Sequence, residues 1–518
     1  MNREEYIFWR LVFSFISEQD YRIIQLFENQ KEIWLEKLEN KKAPIIRVHL
    51  ENLDWSNVMQ RDIEFAAANG ERIRQQLGRP QLDIVNIYIS EFPPVDEYEF
   101  RLRHPYLFAE GSKTSVSSFL LTKGEWETGL KVLADRLQKD IHFDIQNDYS
   151  ENEVEELKRL TLGAAVNKVK REKAVLTYSK PFFTYVFIVI QLAVFVWLEL
   201  NGGSTNTSTL IKYGAKVNQL IYEGEYWRFI TPVFLHIGFL HLAMNTLALY
   251  FLGTAVEQIF GRIRFFLIYL FAGVAGVIAS LLFSTHLSAG ASGAIFGCFG
   301  ALLYFGVMNP KLFFRTMGLN VIVVLAINLV FGFSASGIDN AGHLGGLAGG
   351  FLAAGVVNLP KKSKLLLQLI FLIMSAGIVW GSLNYGFSAS GQKQDEDSQI
   401  LLAQEYIKQN NYDKAYSVLK NFEDRSKSET EKTYFLLSYV EIKKQMLTDA
   451  KIHLQKAIRL DPKFHQAYFN LALINLEEND LNDAKINAEK AVKLNPNQKE
   501  YTNLVDEINQ QIKTSGSE

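Results

Sequence analysis

Apolar and polar residues fall in long blocks along this chain. Between Pro181 and Gln392 seven apolar runs, at about 182–199, 236–256, 265–285, 291–308, 319–336, 343–359 and 365–386, approach or exceed the roughly twenty residues a membrane-spanning helix needs. Lipid offers the backbone no hydrogen-bond partner, so runs at this density predict helices. The pattern therefore predicts a seven-helix polytopic core over 181–390.

Short-loop charges orient that core. Lys168, Lys170, Arg171, Lys173 and Lys180 precede the first run, Arg262 and Arg264 follow the second, Lys311 and Arg315 the fourth, and Lys361, Lys362 and Lys364 the sixth. The alternate loops Ser284–Gly290 and Ala335–Gly342 carry no Lys or Arg, although the long first loop holds Lys212, Lys216 and Arg228. Cytoplasmic loops are enriched in such residues. The expected topology is a multi-pass plasma-membrane protein with a cytoplasmic N-terminus and an extracellular C-terminus.

Polar blocks flank the core. Residues 1–165 read as a soluble α/β domain, with β-branched strands at Ile45–Leu50 and Asp83–Ile89, and residues 166–180 as a basic linker. Its histidines, His49, His104 and His142, lack ligand spacing, so a metal site there carries little weight and stays open. Residues 396–513 repeat: Asp449-Ala450-Lys451 returns as Asp483-Ala484-Lys485, Ala457 as Ala491, and Asp461-Pro462 as Asn495-Pro496, with a weaker copy at Asp413-Lys414-Ala415. A 34-residue period with small residues at helix crossings predicts an extracellular all-α tetratricopeptide (TPR) domain that binds protein partners.

Composition adds exclusions. A net charge of −2 implies no nucleic-acid partner, and a single cysteine, Cys298, excludes a disulfide framework. The polar start Met1-Asn2-Arg3-Glu4-Glu5 does not match a signal peptide, so insertion is expected to use an internal apolar segment.

The chemistry lies in two glycine-flanked motifs that open two apolar runs on the expected outer side: Gly290-Ala291-Ser292-Gly293 and Gly342-His343-Leu344-Gly345-Gly346. Small residues at this spacing let membrane helices pack closely, which alone would explain the glycines. Close packing is also what would bring Ser292 to His343. Of nine histidines, His236, His241 and His343 sit at or inside apolar runs, and His241 shares a helix face with Asn245. Polar groups in lipid are expensive and mark function. A neutral imidazole near neutral pH suits removal of a serine proton. The resulting oxyanion needs donors already in place. The Ser292 backbone N–H at a helix N-terminus, the His241 ring and the Asn245 amide are the candidates. Asp339 lies in the outer loop, so a Ser-His dyad is favoured over a triad. A metalloprotease reading fails, because His236 to His241 has neither His-Glu-x-x-His spacing nor a glutamate.

Together with Trp227-Arg228 in the first loop, these motifs over roughly 180–390 resemble the rhomboid family of intramembrane serine proteases. The resemblance implies a cofactor-free endopeptidase that cleaves transmembrane segments of membrane proteins. It implies Ser292 as nucleophile, His343 as general base, His241 and Asn245 at the oxyanion hole, and supporting roles for His236, Gly290, Gly293 and Phe296. Phe296 stands where many relatives carry a tyrosine stacked on the histidine, and Glu257 is similar to a structural acidic position. The whole arrangement resembles the larger rhomboids of Gram-positive bacilli.

Two other classes compete. A non-catalytic or dual-role scaffold delivering membrane proteins to quality-control factors is motivated by the repeats, although such proteins usually lose the nucleophile or base. A transporter is disfavoured for want of paired intramembrane carboxylates and half-helix repeats.

Overall fold

The computed structural model describes residues 2–109, 113–139, 141, 143–335, 337–360, 364–388, 392, 396–425 and 430–515. His142, Lys361 and Lys362, used in the reading above, lie outside them. The chain forms two compact units, Met1–Leu176 and Thr177–Glu518.

The first unit is built on a six-stranded sheet in the order β1-β2-β3-β4-β6-β5. Its strands are β1 (Arg22–Leu26), β2 (Glu32–Glu36), β3 (Ile45–Leu50), β4 (Leu82–Ile89), β5 (Tyr106–Leu107) and β6 (Thr114–Leu121). β3, β4 and β6 run parallel and the outer pairings are antiparallel. Parallel strands need cover on both faces, and the period-two alternation supplies two apolar surfaces. Ile46, Val48, Val85 and Ile87 pack with Phe8 and Val12 of helix α1 (Asn2–Phe13). Ile45, Ile84 and Tyr88 face the other way, against Met59, Ile63 and Ala66 of α2 (Ser56–Gln76). Helix α3 (Trp126–Leu137) adds Leu133 to the first core. Helix α4 (Glu151–Leu176) runs on through the first part of the segment expected to be a linker.

The second unit opens with the apolar helices α5 (Phe183–Leu200), α6 (Gly238–Phe260), α7 (Arg262–Phe283), α8 (Ser292–Met308), α9 (Gly318–Ser334), α10 (Asn340–Val357) and α11 (Leu365–Phe387). Length and hydropathy qualify four of them, α5, α6, α7 and α11, to cross a membrane. A fifth follows if α9 and the helix Pro310–Thr316, bent from it by 72°, form one span. The other two differ from the expected runs for a physical reason. α8 is only 17 residues long, and α10 dilutes its hydropathy with Gly342, Gly345, Gly346, Gly349, Gly350 and Gly355. Those glycines pack the centre. A Cβ on Gly346 would lie 1.9 Å from the Gly293 carbonyl oxygen, and one on Gly350 2.0 Å from that of Gly297. α8 and α10 therefore meet backbone to backbone.

Among the described residues seven further helices follow: α12 (Glu396–Lys408), α13 (Tyr412–Arg425), α14 (Glu431–Lys443), α15 (Leu447–Leu460), α16 (His465–Glu477), α17 (Leu481–Leu494) and α18 (Lys499–Ser515). Small residues fill the crossings, Ala450, Ala457 and Ala467 in one cluster and Ala472, Ala484 and Ala488 in the next. Each hairpin turns at a left-handed residue in the same register, Asn410 (φ 56°), Gln445 (φ 60°) and Asn479 (φ 60°).

Candidate active site

Ser292 is the first residue of α8, and His343 lies in the first turn of α10. The Asp339 carboxylate accepts the Gly342 N–H at 2.9 Å, capping α10 one residue before the histidine. With the glycine faces in contact, Ser292 Oγ and His343 Nε2 stand 2.8 Å apart. The Phe296 ring, one turn along α8, stacks on the imidazole at 4.3 Å and 9°. Among the described residues, His343 Nδ1 is buried without a hydrogen-bond partner. A serine hydroxyl that donates to Nε2 requires the proton on Nδ1.

His241 approaches from α6. The Ile237 N–H donates to its Nδ1 at 3.3 Å, so a neutral ring carries its proton on Nε2. That edge faces Gly290: a Cβ there would meet His241 Nε2 at 2.9 Å, and Gly290 also has φ +147°. Only glycine permits this approach. His236 Nε2 accepts the Ala291 N–H at 3.4 Å, and the His236 and His241 rings meet edge to face at 5.3 Å. Gly293 lies against α10, where a Cβ would come within 3.4 Å of the Gly342 carbonyl oxygen. Asn245 is buried, and its Nδ2 donates to the His241 carbonyl at 2.9 Å, which uses one of its two hydrogens. The contacts thus join Ser292, His343, Phe296, His241, His236, Gly290 and Gly293, and Asn245 joins through the His241 backbone.

Residues 223–360 match the rhomboid domain, and residues 431–464 and 465–498 match tetratricopeptide repeats. The chain is 39% identical to rhomboid protease GluP of Bacillus subtilis (strain 168) over 465 residues, covering 89% of this chain and 90% of that one. The chain belongs to the rhomboid protease family. It is accordingly an intramembrane serine protease and a multi-pass membrane protein that carries TPR repeats. This rhomboid is also 37% identical over 172 residues to putative rhomboid protease YdcA of the same bacterium, which covers 33% of this chain and 86% of that one. RHOMBOID-like protein 1 of Arabidopsis thaliana is 40% identical over 148 residues, 28% of this chain and 38% of its own.

The sequence reading gave no role to Arg228 or to Arg47 and the neighbours of His49, whereas Glu257 takes the structural place that the resemblance implied. Arg228 is buried in the first loop and donates to the carbonyls of Ile211 (2.9 Å) and Ala215 (2.7 Å) and to Glu225. Glu257 is fully buried and accepts the N–H groups of Phe182, Phe183 and Thr184 and the Thr184 hydroxyl, all at 2.7–2.9 Å. It therefore caps α5 from α6. In the N-terminal unit, fully buried Arg47 binds Glu32, Asp62 and Asn86. His49, scattered in sequence from other candidate ligands, has Glu51 and Asp62 beside it, with ligand atoms within 4.8 Å of one another. His104 has no place in that group. Only alternation along β3 hinted at the cluster, since Arg47 and His49 share one strand face.

Proposed function

We propose that cleavage runs through a Ser292–His343 dyad acting on transmembrane segments of other membrane proteins. The observation that carries this reading is the 2.8 Å contact between Ser292 Oγ and His343 Nε2. As Ser292 Oγ attacks the scissile carbonyl carbon, its proton passes to Nε2 and the carbonyl π pair moves to oxygen. The oxyanion is received by the Ser292 backbone N–H at the α8 N-terminus, the His241 Nε2–H and the free Asn245 amide hydrogen. The protonated His343 then gives its proton to the departing amine as the C–N bond breaks, leaving an acyl-enzyme on Ser292. Water, deprotonated by His343, releases the second product and restores the serine. Phe296 holds the imidazole plane, and Gly290, Gly293 and His236 shape the approach of these groups. No cofactor or metal enters these steps.

The same reading takes seven spans over 181–390, with the helices of 17 and 18 residues, α8 and α10, as interior crossings. It takes residues 1–165 as cytoplasmic, 166–180 as a basic linker and the repeats at 396–513 as an extracellular module for protein partners, in a bacterial plasma membrane. The charge asymmetry of the short loops supports that orientation.

The test is cleavage of a single-span model substrate in proteoliposomes. Loss of product with Ser292→Ala and with His343→Ala is expected. Undiminished product from either variant rejects the dyad.

A further inference from the structure

The loop that delivers Ser292 is tied down on several sides. Residues 216 and 288 form one antiparallel bridge, with Lys216 N–H donating to Ser288 O at 2.8 Å and Ser288 N–H to Lys216 O at 3.1 Å. The Lys216 side chain is fully buried. Its Nζ donates to the carbonyls of Ser280 (3.2 Å), Ser284 (2.8 Å) and His286 (3.1 Å). These acceptors span the end of α7 and the loop itself, so one ammonium staples the loop to its helix. A buried ammonium is tolerated only with such acceptors around it, which makes the staple specific. Nearer the serine, Gly290 N–H donates to Pro232 O at 2.8 Å.

The repeats supply another tie. The end helix of a repeat stack carries a face on which another repeat would pack, and that face must be covered. In this chain the first loop covers it. Ile211, Val217 and Leu220 share one buried apolar cluster with Leu402, Tyr406 and Leu437, and Leu287 and Leu401 pack against that cluster. Ser398 Oγ of α12 donates to Thr285 O at 3.0 Å, and Lys408 Nζ donates to Ser208 Oγ at 3.3 Å. Burial, with Glu223 and Glu225 nearby, pushes the Tyr406 phenol up to about 12. Thr285 and Leu287 flank His286, whose carbonyl Lys216 holds. The repeat domain and the lysine thus grip the same few residues.

We propose that Lys216 and helix α12 are positioning elements for Ser292, holding residues 284–291 so that the serine meets His343, and that the repeat domain is coupled to cleavage through this loop. The inference rests on the protease reading above. Neither element touches the reacting atoms. Loosening the loop lowers the fraction of time in which the nucleophile is aligned, a loss that falls on kcat and leaves KM nearly unchanged.

The experiment uses the full chain in proteoliposomes and compares Lys216→Met, Lys216→Arg, Leu401→Glu, Leu401→Met and the exposed-surface control Ile486→Glu. Three readouts are taken: the rate at which a fluorophosphonate probe acylates Ser292, kcat and KM for cleavage, and hydrogen exchange of residues 284–291. Lys216→Met and Leu401→Glu are expected to lower the labelling rate and kcat by about tenfold with KM unchanged, and to speed exchange in the loop. Lys216→Arg and Leu401→Met are expected to restore most of the rate, and Ile486→Glu to match wild type. If Lys216→Met fails to fold, Leu401→Glu decides, because Leu401 lies outside the inner repeat core of Leu402 and Ala403. Wild-type labelling and loop exchange in a folded Leu401→Glu protein overturn the coupling while leaving the protease reading intact. A wild-type chain that the probe does not label at all, like Ser292→Ala, overturns both.

Discussion

Phe296 and His343 lie in parallel planes 9° apart with ring centroids separated by 4.3 Å. The pair joins α8 to α10 at the depth of the serine, so the aromatic ring fixes the imidazole plane beside Ser292 Oγ. Such a stack is worth about 1 kcal/mol beyond its buried area. Phe296→Leu is therefore expected to lower kcat by about fivefold with KM little changed, and Phe296→Tyr to stay within about twofold of wild type. Steady-state cleavage kinetics check both, and an unaffected Phe296→Leu enzyme rules out the orienting role.

His241 receives the Ile237 N–H on Nδ1 and so presents Nε2–H towards Gly290. Loss of one oxyanion donor costs about 10²–10³ in kcat. His241→Ala is expected to fall in that range while retaining substrate binding. A variant that loses binding instead of turnover would assign His241 to substrate contact.

The glycine face between α8 and α10 leaves no room for a methyl group. Because a Cβ on Gly346 would sit 1.9 Å from a backbone oxygen, relief requires the helices to part. Gly346→Ala should destabilise the membrane unit by about 1–3 kcal/mol and abolish fluorophosphonate labelling of Ser292. Thermal unfolding in detergent measures the first effect. Gly377→Ala, where a Cβ meets nothing within 4 Å, serves as the control.

Glu257 offers two carboxylate oxygens to four donors at the start of α5. Glu257→Gln replaces one oxygen by an NH2 group facing N–H donors. A loss of about 1–3 kcal/mol in stability is expected, with the remaining folded fraction still labelled at Ser292. Equal stability of the two proteins would remove the cap from the account.

The repeat domain has its own acid limit. Burial alone would raise Glu423, but hydrogen bonds from Lys420 and Lys456 and the nearby His453 outweigh it and bring the carboxyl from 4.5 down to about 2. A depressed carboxyl contributes stability above its unfolded value and loses it as pH falls through the folded one. Repeat-domain stability should therefore decline between about pH 4.5 and 2. Glu423→Gln should flatten that part of the profile in circular-dichroism melts, and an unchanged slope would discount the carboxylate.

Much of this architecture is legible in one dimension because its signals are local. Apolar runs located the apolar helices, and the return of Asp449-Ala450-Lys451 at Asp483-Ala484-Lys485 located the repeats. Uninterrupted β-branched runs revealed β3 and β4, which lie inside the sheet. β1, β5 and β6 are exposed, short or serine-rich and left no comparable pattern. The glycines of α10 lower its hydropathy and are also what let it pack so closely.

By itself, the sequence determined which segments are apolar, about where each helix of the site begins, and which residues are the candidates for a nucleophile, a base and oxyanion donors. Only the tertiary structure decided that Ser292 and His343, 51 residues apart, meet at 2.8 Å. It also set the His241 tautomer, and it placed Lys216 and the first repeat helix on the loop before the serine. Periodicity and motif spacing act over a few residues of one chain segment. Contacts between segments depend on how closely backbones approach, and here missing Cβ atoms and a buried ammonium set that distance.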